Sequence, residues 1–103
     1  MATEPKFIER IHLAPGGFRS EHIDEVELRH SDTGVVERLE VAIAARLIDD
    51  YGWDIRVLPP APPARTAKAA AHVATIHPFG RPTYLRSVAG GYPTDDLLDL
   101  PSY

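Results

Sequence analysis

The segment 35–52, VVERLEVAIAARLIDDYG, constrains the fold more than any other part of the chain, because it is the longest stretch with helical periodicity. Its apolar residues recur at spacings of three and four, which places them on one side of a helix. Gly52 can adopt the left-handed conformation that ends a helix. A helix of about 15 residues is marginal alone in water, so we expect a sheet to cover its apolar stripe. That stripe consists of Val36, Leu39, Ile43 and Leu47, widened by Ala42 and Ile48.

Alternating apolar residues and turn signals divide the rest of the chain into strands. Two predicted strands, 7–14 and 22–30, precede the helix, and three follow it at 53–57, 69–76 and 83–88. We therefore predict an α+β domain with an antiparallel sheet of four to five strands, in the order β-β-α-β-β-β, and with one helix packed on one face.

The length of 103 residues predicts a single domain over 1–103. Residues 1–6 are polar and are expected to be loose. A Pro-rich stretch at 59–68 cannot donate regularly to a sheet and is expected to be a loop. The leucines of the tail, at 97, 98 and 100, are expected to pack back onto the sheet.

Composition excludes several classes of protein. The chain has no cysteine, which removes disulfides, thiolate zinc sites and thiol nucleophiles. No apolar run approaches the roughly 20 residues of a membrane span, and the start resembles no signal peptide, so we expect a cytoplasmic protein. The formal net charge of -4 has the wrong sign for binding nucleic acid by broad phosphate neutralisation.

The sequence offers weak signals for a metal site. His12 and His22 flank the first predicted turn and could approach each other across strands. Two imidazoles fall short of the three or four ligands that zinc needs, and no helical His-x-x-x-His motif is present. We therefore predict neither a metal nor a cofactor.

Signals for catalysis are also weak. The pair Asp49–Asp50 is expected to be solvated at the helix end, and Asp95 or Thr94 is expected to cap a short helical turn through backbone N–H groups. No Gly-x-Ser-x-Gly motif or phosphate-binding loop is present. We predict that the protein is not an enzyme, with a small hydrolase as an alternative because sites assembled in space leave no short motif.

The end of the chain carries a distinctive series of residues: a tyrosine-leucine-arginine strand, a glycine-bearing loop and a closing Asp-x-Leu-Leu-x-Leu-Pro. This series resembles the small bacterial and phage family of domain of unknown function 3892 (DUF3892). The resemblance implies the predicted fold and a phage or phage-derived accessory factor, and it transfers no activity or site residues. The matching residues are Tyr84, Leu85, Arg86, Asp95, Leu97, Leu98, Leu100 and Pro101.

Two hypotheses for function follow, and both concern binding. The first is an accessory module that binds an unidentified protein partner through the aromatic residues Phe18, Tyr92 and Tyr103, because aromatics are enriched at interfaces. An uncovered edge strand would also permit a symmetric homodimer by sheet pairing.

The second hypothesis is a weak nucleic-acid binder that uses arginines on the exposed sheet face, with a tyrosine as a stacking surface. Net acidity disfavours it, and the same arginines could instead form cross-strand ion pairs. The arginines and the tyrosine are Arg10, Arg29, Arg56, Arg86 and Tyr84, and the competing carboxylates are Glu9, Glu25, Glu27 and Asp54.

Overall fold

A computed structural model describes residues 5–57 and 71–103, and within them one helix packs against a mixed sheet of seven strands. The strands are β1 (Lys6–Leu13), β2 (Ile23–His30), β3 (Val36–Glu40), β4 (Ile55–Val57), β5 (His72–Ile76), β6 (Tyr84–Ala89) and β7 (Tyr92–Thr94). The helix α1 is Val41–Tyr51, and a short 3-10 helix, Ser20–His22, precedes β2. The strand order across the sheet is β3-β2-β1-β4-β5-β6-β7.

The prediction of an α+β fold with a helix on a sheet is confirmed, but the details of the predicted sheet are wrong. The sheet has seven strands, and β1 and β4 pair in parallel, with Phe7 opposite Arg56. β7 was expected to be a loop. The consecutive glycines Gly90 and Gly91 have φ angles of 60° and 83°, a conformation open to glycine, and they reverse the chain tightly enough to add this strand to β6.

The first part of the predicted helix is a strand. Residues 36–40 pair antiparallel with β2, from Val36 opposite Arg29 to Glu40 opposite Glu25. These five residues, VERLE, fit a half-exposed strand as well as a helical turn, and the hydrogen bonds offered by β2 decide between the two. The helix therefore begins at Val41 and ends as predicted at Gly52, whose φ is 66°.

The buried face of α1 also differs from the predicted one. Val41, Ala44 and Ala45 are buried, and Ile48 packs partly against the core. Ile43, which belonged to the predicted stripe, is exposed. Both stripes recur every three or four residues, so periodicity alone does not distinguish them. The side chains of the buried alanines are small, which allows α1 to approach the sheet closely.

The connection from β3 through α1 to β4 explains why the sheet is mixed. Pairing with β2 and β1 gives β3 and β4 the same direction. Parallel strands need a crossover, and α1 provides it on one face of the sheet. The core between them contains Ile8, Ile11, Ile23, Val26, Leu28, Ile55, Val57, Ala71, Val73, Leu85 and Leu97, together with the buried helix residues.

The tail packs onto the sheet, as predicted. Leu97 is fully buried. Beyond the end of β4, the Ile11 N–H donates to the Pro101 carbonyl at 3.0 Å, and the Tyr103 N–H donates to the Ile11 carbonyl at 3.0 Å. The tail therefore closes the stretch of β1 that β4 leaves unpaired.

The other predicted strands are observed with small shifts of their ends. Of the loose start predicted at 1–6, Lys6 already belongs to β1, and residues 1–4 lie outside the described residues. The predicted Pro-rich loop at 59–68 lies outside them as well. No helix in the described ranges is both long enough and apolar enough to cross a membrane.

Candidate functional site

The loop between β1 and β2, residues 14–22, holds its backbone through several hydrogen bonds. The Gly17 N–H donates to the Ala14 carbonyl at 2.8 Å. The Nδ1 atom of His22 accepts hydrogen bonds from the backbone N–H groups of Phe18 at 3.0 Å and Arg19 at 3.1 Å. A Cβ on Gly17 would lie 2.6 Å from the Cβ of His22, so only glycine fits there without movement. The backbone of the loop therefore packs tightly against the His22 side chain.

The aromatic side chain on this loop points into solvent. Phe18 is 68% exposed. Its ring centroid lies 5.4 Å from that of His22 in an edge-on arrangement, and the Arg19 guanidinium lies 5.4 Å from the Phe18 ring. The loop thus displays an aromatic ring and a stacked cation from a fixed backbone.

A depression of about 450 Å³ adjoins this loop. It lies between the short 3-10 helix, the first half of β6 and the turn after β7. We call it the loop-side depression. Its lining residues are Arg19, Ser20, Glu21, Tyr84, Arg86, Asp95 and Leu98.

The ion pairs in the loop-side depression are loose. A single 3.5 Å contact joins Nη2 of Arg86 to Oδ1 of Asp95, and a single 3.7 Å contact joins Nη1 of Arg19 to Oε1 of Glu21. The Nε atom of Arg86 is buried and has no hydrogen-bond acceptor among the described residues. A buried donor without an acceptor is costly, so Arg86 is poorly satisfied by its own chain.

A second, wider depression of about 660 Å³ lies around Tyr103, and we call it the Tyr103 groove. The Tyr103 hydroxyl donates to Glu25 at 2.6 Å, and its ring lies 4.4 Å from the Arg38 guanidinium. Burial, followed by the hydrogen bond to Glu25, raises the pKa of the Tyr103 phenol. His12 also contacts Asp24 at 2.6 Å. The lining residues are His12, Asp24, Glu25, Arg38, Glu40, Ala42 and Tyr103.

A buried carboxylate lies beside the Tyr103 groove. The Glu27 side chain is 7% exposed and accepts two hydrogen bonds from Arg10 at 2.8 Å and one from Arg38 at 3.3 Å. Burial alone would raise the pKa of Glu27, but the hydrogen bonds from Arg10 and Arg38 outweigh burial and hold the pKa below its ordinary value of 4.5. This network joins β1, β2 and β3 across the face opposite α1.

Acidification is expected to remove the stability that Glu27 provides. Because the pKa of Glu27 is lower in the folded state than its ordinary value of 4.5, the contribution is complete above that pH and is lost as the pH falls through the folded-state pKa. We expect the Tm of the wild type to fall more steeply below pH 4.5 than that of Glu27→Gln, measured by circular dichroism. If the Tm of both proteins falls equally with pH, the pH-dependent stabilisation does not come from Glu27.

The arginines predicted to bind nucleic acid lie on one sheet face, opposite the helix, together with Tyr84. Three of the four are held by a carboxylate through two nitrogen–oxygen contacts. For the fourth, Arg86, the described residues supply a single ion-pair contact, with Asp95 in the loop-side depression, which Tyr84 also lines. The doubly bonded pairs are Arg10 with Glu27, Arg29 with Glu9, and Arg56 with Asp54.

The aromatics predicted to bind a partner are distributed over separate places. Phe18 and Tyr92 are strongly exposed, on the β1–β2 loop and at the start of β7. Tyr103 was expected to be exposed but lies half-buried in its groove, because the tail pairs with β1. Phe79 and Tyr51 are also strongly exposed and do not belong to the predicted set.

The histidines at the first turn do not converge on a metal. Nδ1 of His12 contacts Asp24, whereas Nδ1 of His22 is occupied by the two backbone N–H groups of its own loop. Within the described ranges, no group of three or more histidine, aspartate or glutamate side chains could hold a metal ion. His22 accepts the backbone N–H of Arg19 from the third position of the short 3-10 helix, as Glu or Gln does in a capping box. The role of His22 was missed in the sequence because histidine is not a usual residue at that position.

The predicted cap at the last turn is wrong. The N–H of Leu97 donates to the hydroxyl of Ser87 at 3.0 Å, and Ser87 donates to the Thr94 carbonyl at 2.9 Å. Asp95, which was expected to cap the turn, faces Arg86 instead. A buried hydroxyl from β6 was available because β6 and β7 pair directly at this point.

Asp49 takes part in a hydroxyl–imidazole–carboxylate chain and is not simply solvated. Nδ1 of His77 lies 2.9 Å from the Thr83 hydroxyl, and Nε2 lies 2.9 Å from Oδ2 of Asp49. Thr75 also donates to Asp49 at 2.6 Å. The His77 side chain is 59% exposed. These contacts link the end of α1 to β5 and the β5–β6 turn.

Comparison with known proteins gives no match to a protein-family model, a curated protein or a solved structure. The resemblance of the tail to DUF3892 therefore stays a prediction. The geometry of the loop, the depression and the groove is the basis for the proposals that follow.

Proposed function

We propose that this protein is a non-enzymatic module that binds a protein partner through the Phe18 surface, defined as Phe18, Arg19 and the loop-side depression. The observation that carries the proposal is an aromatic side chain, 68% exposed, on a loop whose backbone is already fixed by His22. Binding through a preorganised loop loses less conformational entropy. Aromatic and arginine side chains are the commonest energetic anchors of protein interfaces.

Nucleic-acid binding is the second candidate, and one observation favours it. Tyr84 and Arg86 line the same depression, where a base could stack and a phosphate could meet a guanidinium. Glu21 and Asp95 line it too, and would repel successive phosphates. The formal net charge of -4 acts in the same direction, so a protein partner is the better candidate.

Origin, location and assembly belong to the same proposal. The tail motif supports a phage or phage-derived accessory factor, and the composition supports a cytoplasmic one. The edge of β3 supports a symmetric homodimer, because β3 is the first strand in the sheet order and, among the described residues, pairs only with β2. Arg38 and Glu40 on that edge carry opposite charges that a second copy could pair crosswise.

The proposal is tested by substituting the exposed aromatic. We expect Phe18→Ala to weaken capture of the partner from a lysate of the source organism by at least about tenfold, since truncating an anchor residue typically costs that much or more. Binding of the captured protein, once purified, is measured by isothermal titration calorimetry. Circular dichroism checks that each variant is folded.

Tyr51→Ala is the matched control, because Tyr51 is as exposed as Phe18 but lies on the last turn of α1. It should bind like the wild type. If Phe18→Ala binds normally while Tyr92→Ala does not, the interface lies at the β6–β7 turn and the proposed surface is wrong. Salt-resistant binding of single-stranded DNA by the wild type would favour the second candidate.

A further inference from the structure

We propose that the loop-side depression binds a carboxylate of the partner, an aspartate or glutamate side chain, which takes the place of Asp95 on Arg86. This inference rests on the proposed function and names the chemistry of the partner. Two features of the depression carry it: the loose pairing of its two guanidinium groups and the buried, unsatisfied Nε of Arg86.

The arginines fall into two groups according to how tightly each is paired with a carboxylate. Arg10 and Arg56 each form two hydrogen bonds with one carboxylate, at 2.8 to 3.0 Å, so the Nε–Nη2 fork of each is already occupied. Among the described residues, Arg86 and Arg19 each have one contact with a carboxylate, at 3.5 and 3.7 Å. Two parallel N–H groups of a guanidinium match the two oxygens of a carboxylate in geometry. Two such hydrogen bonds are much stronger than one long contact.

Asp95 is a weak competitor for Arg86. Its side chain is 67% exposed, whereas that of Arg86 is 33% exposed, so Asp95 can turn into water at small cost. The displaced Asp95 carboxylate would remain hydrated, and the incoming carboxylate would form an ion pair with the Arg86 guanidinium. Glu21 also pairs loosely with its arginine, because its contact with Arg19 is 3.7 Å long.

The depression suits one carboxylate and not a polyanion. Asp95 and Glu21 remain near the guanidinium groups and would repel a run of phosphates. Leu98 and the Tyr84 ring supply apolar and aromatic lining. Phe18 adjoins the depression through Arg19, whose guanidinium lies 5.4 Å from the Phe18 ring. The surface therefore fits an acidic side chain flanked by apolar residues.

The probe is a peptide acetylated and amidated at its ends, with one glutamate between two leucines, and its counterpart with glutamine. Binding is followed by NMR through the Arg86 Nε–H and the Phe18 backbone amide of the full chain. We expect the glutamate peptide to bind at least about tenfold more tightly, the typical value of a charge-assisted hydrogen bond. Equal binding of the two peptides, or no binding of either, overturns the inference.

Three variants separate recognition from folding. Arg86→Met keeps the alkyl stem and removes the unsatisfied donor, and it should abolish the preference for glutamate. Asp95→Asn removes the competitor and should tighten binding of the glutamate peptide severalfold, an effect that a merely structural Asp95 would not produce. Arg46→Ala removes an exposed charge on α1 and should leave the preference unchanged.

Two outcomes distinguish this inference from the proposed function. A partner whose capture depends on Phe18 but is unaffected by Arg86→Met and Asp95→Asn would overturn the carboxylate site and leave the interaction module intact. Tighter binding of an oligothymidylate than of the glutamate peptide, again lost in Arg86→Met, would overturn both in favour of nucleic acid.

Discussion

Replacing Glu27 by alanine is expected to lower the free energy of unfolding by about 3 kcal/mol, near the lower end of the range for breaking a buried ion pair. Glu27 is the buried member of a network with two guanidinium groups, and its loss leaves Arg10 and Arg38 without their shared carboxylate. Their side chains are partly exposed, so water compensates for some of the loss. Urea denaturation followed by tryptophan fluorescence measures the change.

Asp50→Ala is the control for Glu27→Ala. Asp50 pairs with Arg46 one helical turn away at 3.7 Å, and both side chains are mostly exposed. Removing such a pair is expected to change stability by less than about 0.5 kcal/mol. If Glu27→Ala costs no more than Asp50→Ala, the sheet does not depend on the buried carboxylate.

Replacing Ala44 by leucine is expected to destabilise the protein by about 2 kcal/mol, because the added methylenes must enter a packed helix–sheet interface. Ala44 is fully buried in the same cluster as the core residues of the sheet. A larger side chain forces either α1 away from the sheet or its neighbours into strained rotamers. The change in the free energy of unfolding is measured by urea denaturation.

Ala42→Leu is the matched control, since Ala42 lies on the same helix and is exposed. Leucine there is expected to change stability by no more than about 0.5 kcal/mol. The pair of variants also tests the orientation of α1. A larger loss at Ala42 than at Ala44 would mean that the helix buries the face predicted from the sequence and not the one described.

The helix shows how far periodicity alone can be used. The end of the helix at Gly52 could be predicted, because glycine accepts the positive φ that ends a helix. Its start could not be located, because VERLE alternates well enough for a strand and is spaced well enough for a helix. Only the backbone hydrogen bonds of β2 distinguish the two. The rotation of α1 was equally open, since both candidate stripes recur every three or four residues.

The ion pairs also depend partly on the sequence and partly on the tertiary structure. The sequence placed arginines and carboxylates on neighbouring strands, and a bulge in β1 decides which of them meet. Between Ile8 and Arg10 the register shifts by one residue, so that Arg10 lies opposite Glu27. Without that extra residue Glu9 would face Glu27, and two like charges would meet on one sheet face.

The loop-side depression could not have been found in the sequence, because its residues come from three separate segments. Arg19 and Glu21 follow β1, Tyr84 and Arg86 belong to β6, and Asp95 follows β7. From their strand alone, Tyr84 and Arg86 are predicted to bind nucleic acid. The sheet order brings the carboxylates and the hairpin loop to the same place, which changes the chemistry of the site.

Within the part of the chain that the structure describes, the sequence by itself determined the presence of one α-helix, the positions of most strands and the burial of the leucine tail, because these depend on local periodicity and on residues such as Gly52. The tertiary structure decided the strand count, the parallel pairing of β4, the buried face of α1 and the partner of each arginine. These depend on contacts between residues far apart in the chain, and the free energy of such contacts has no local signature.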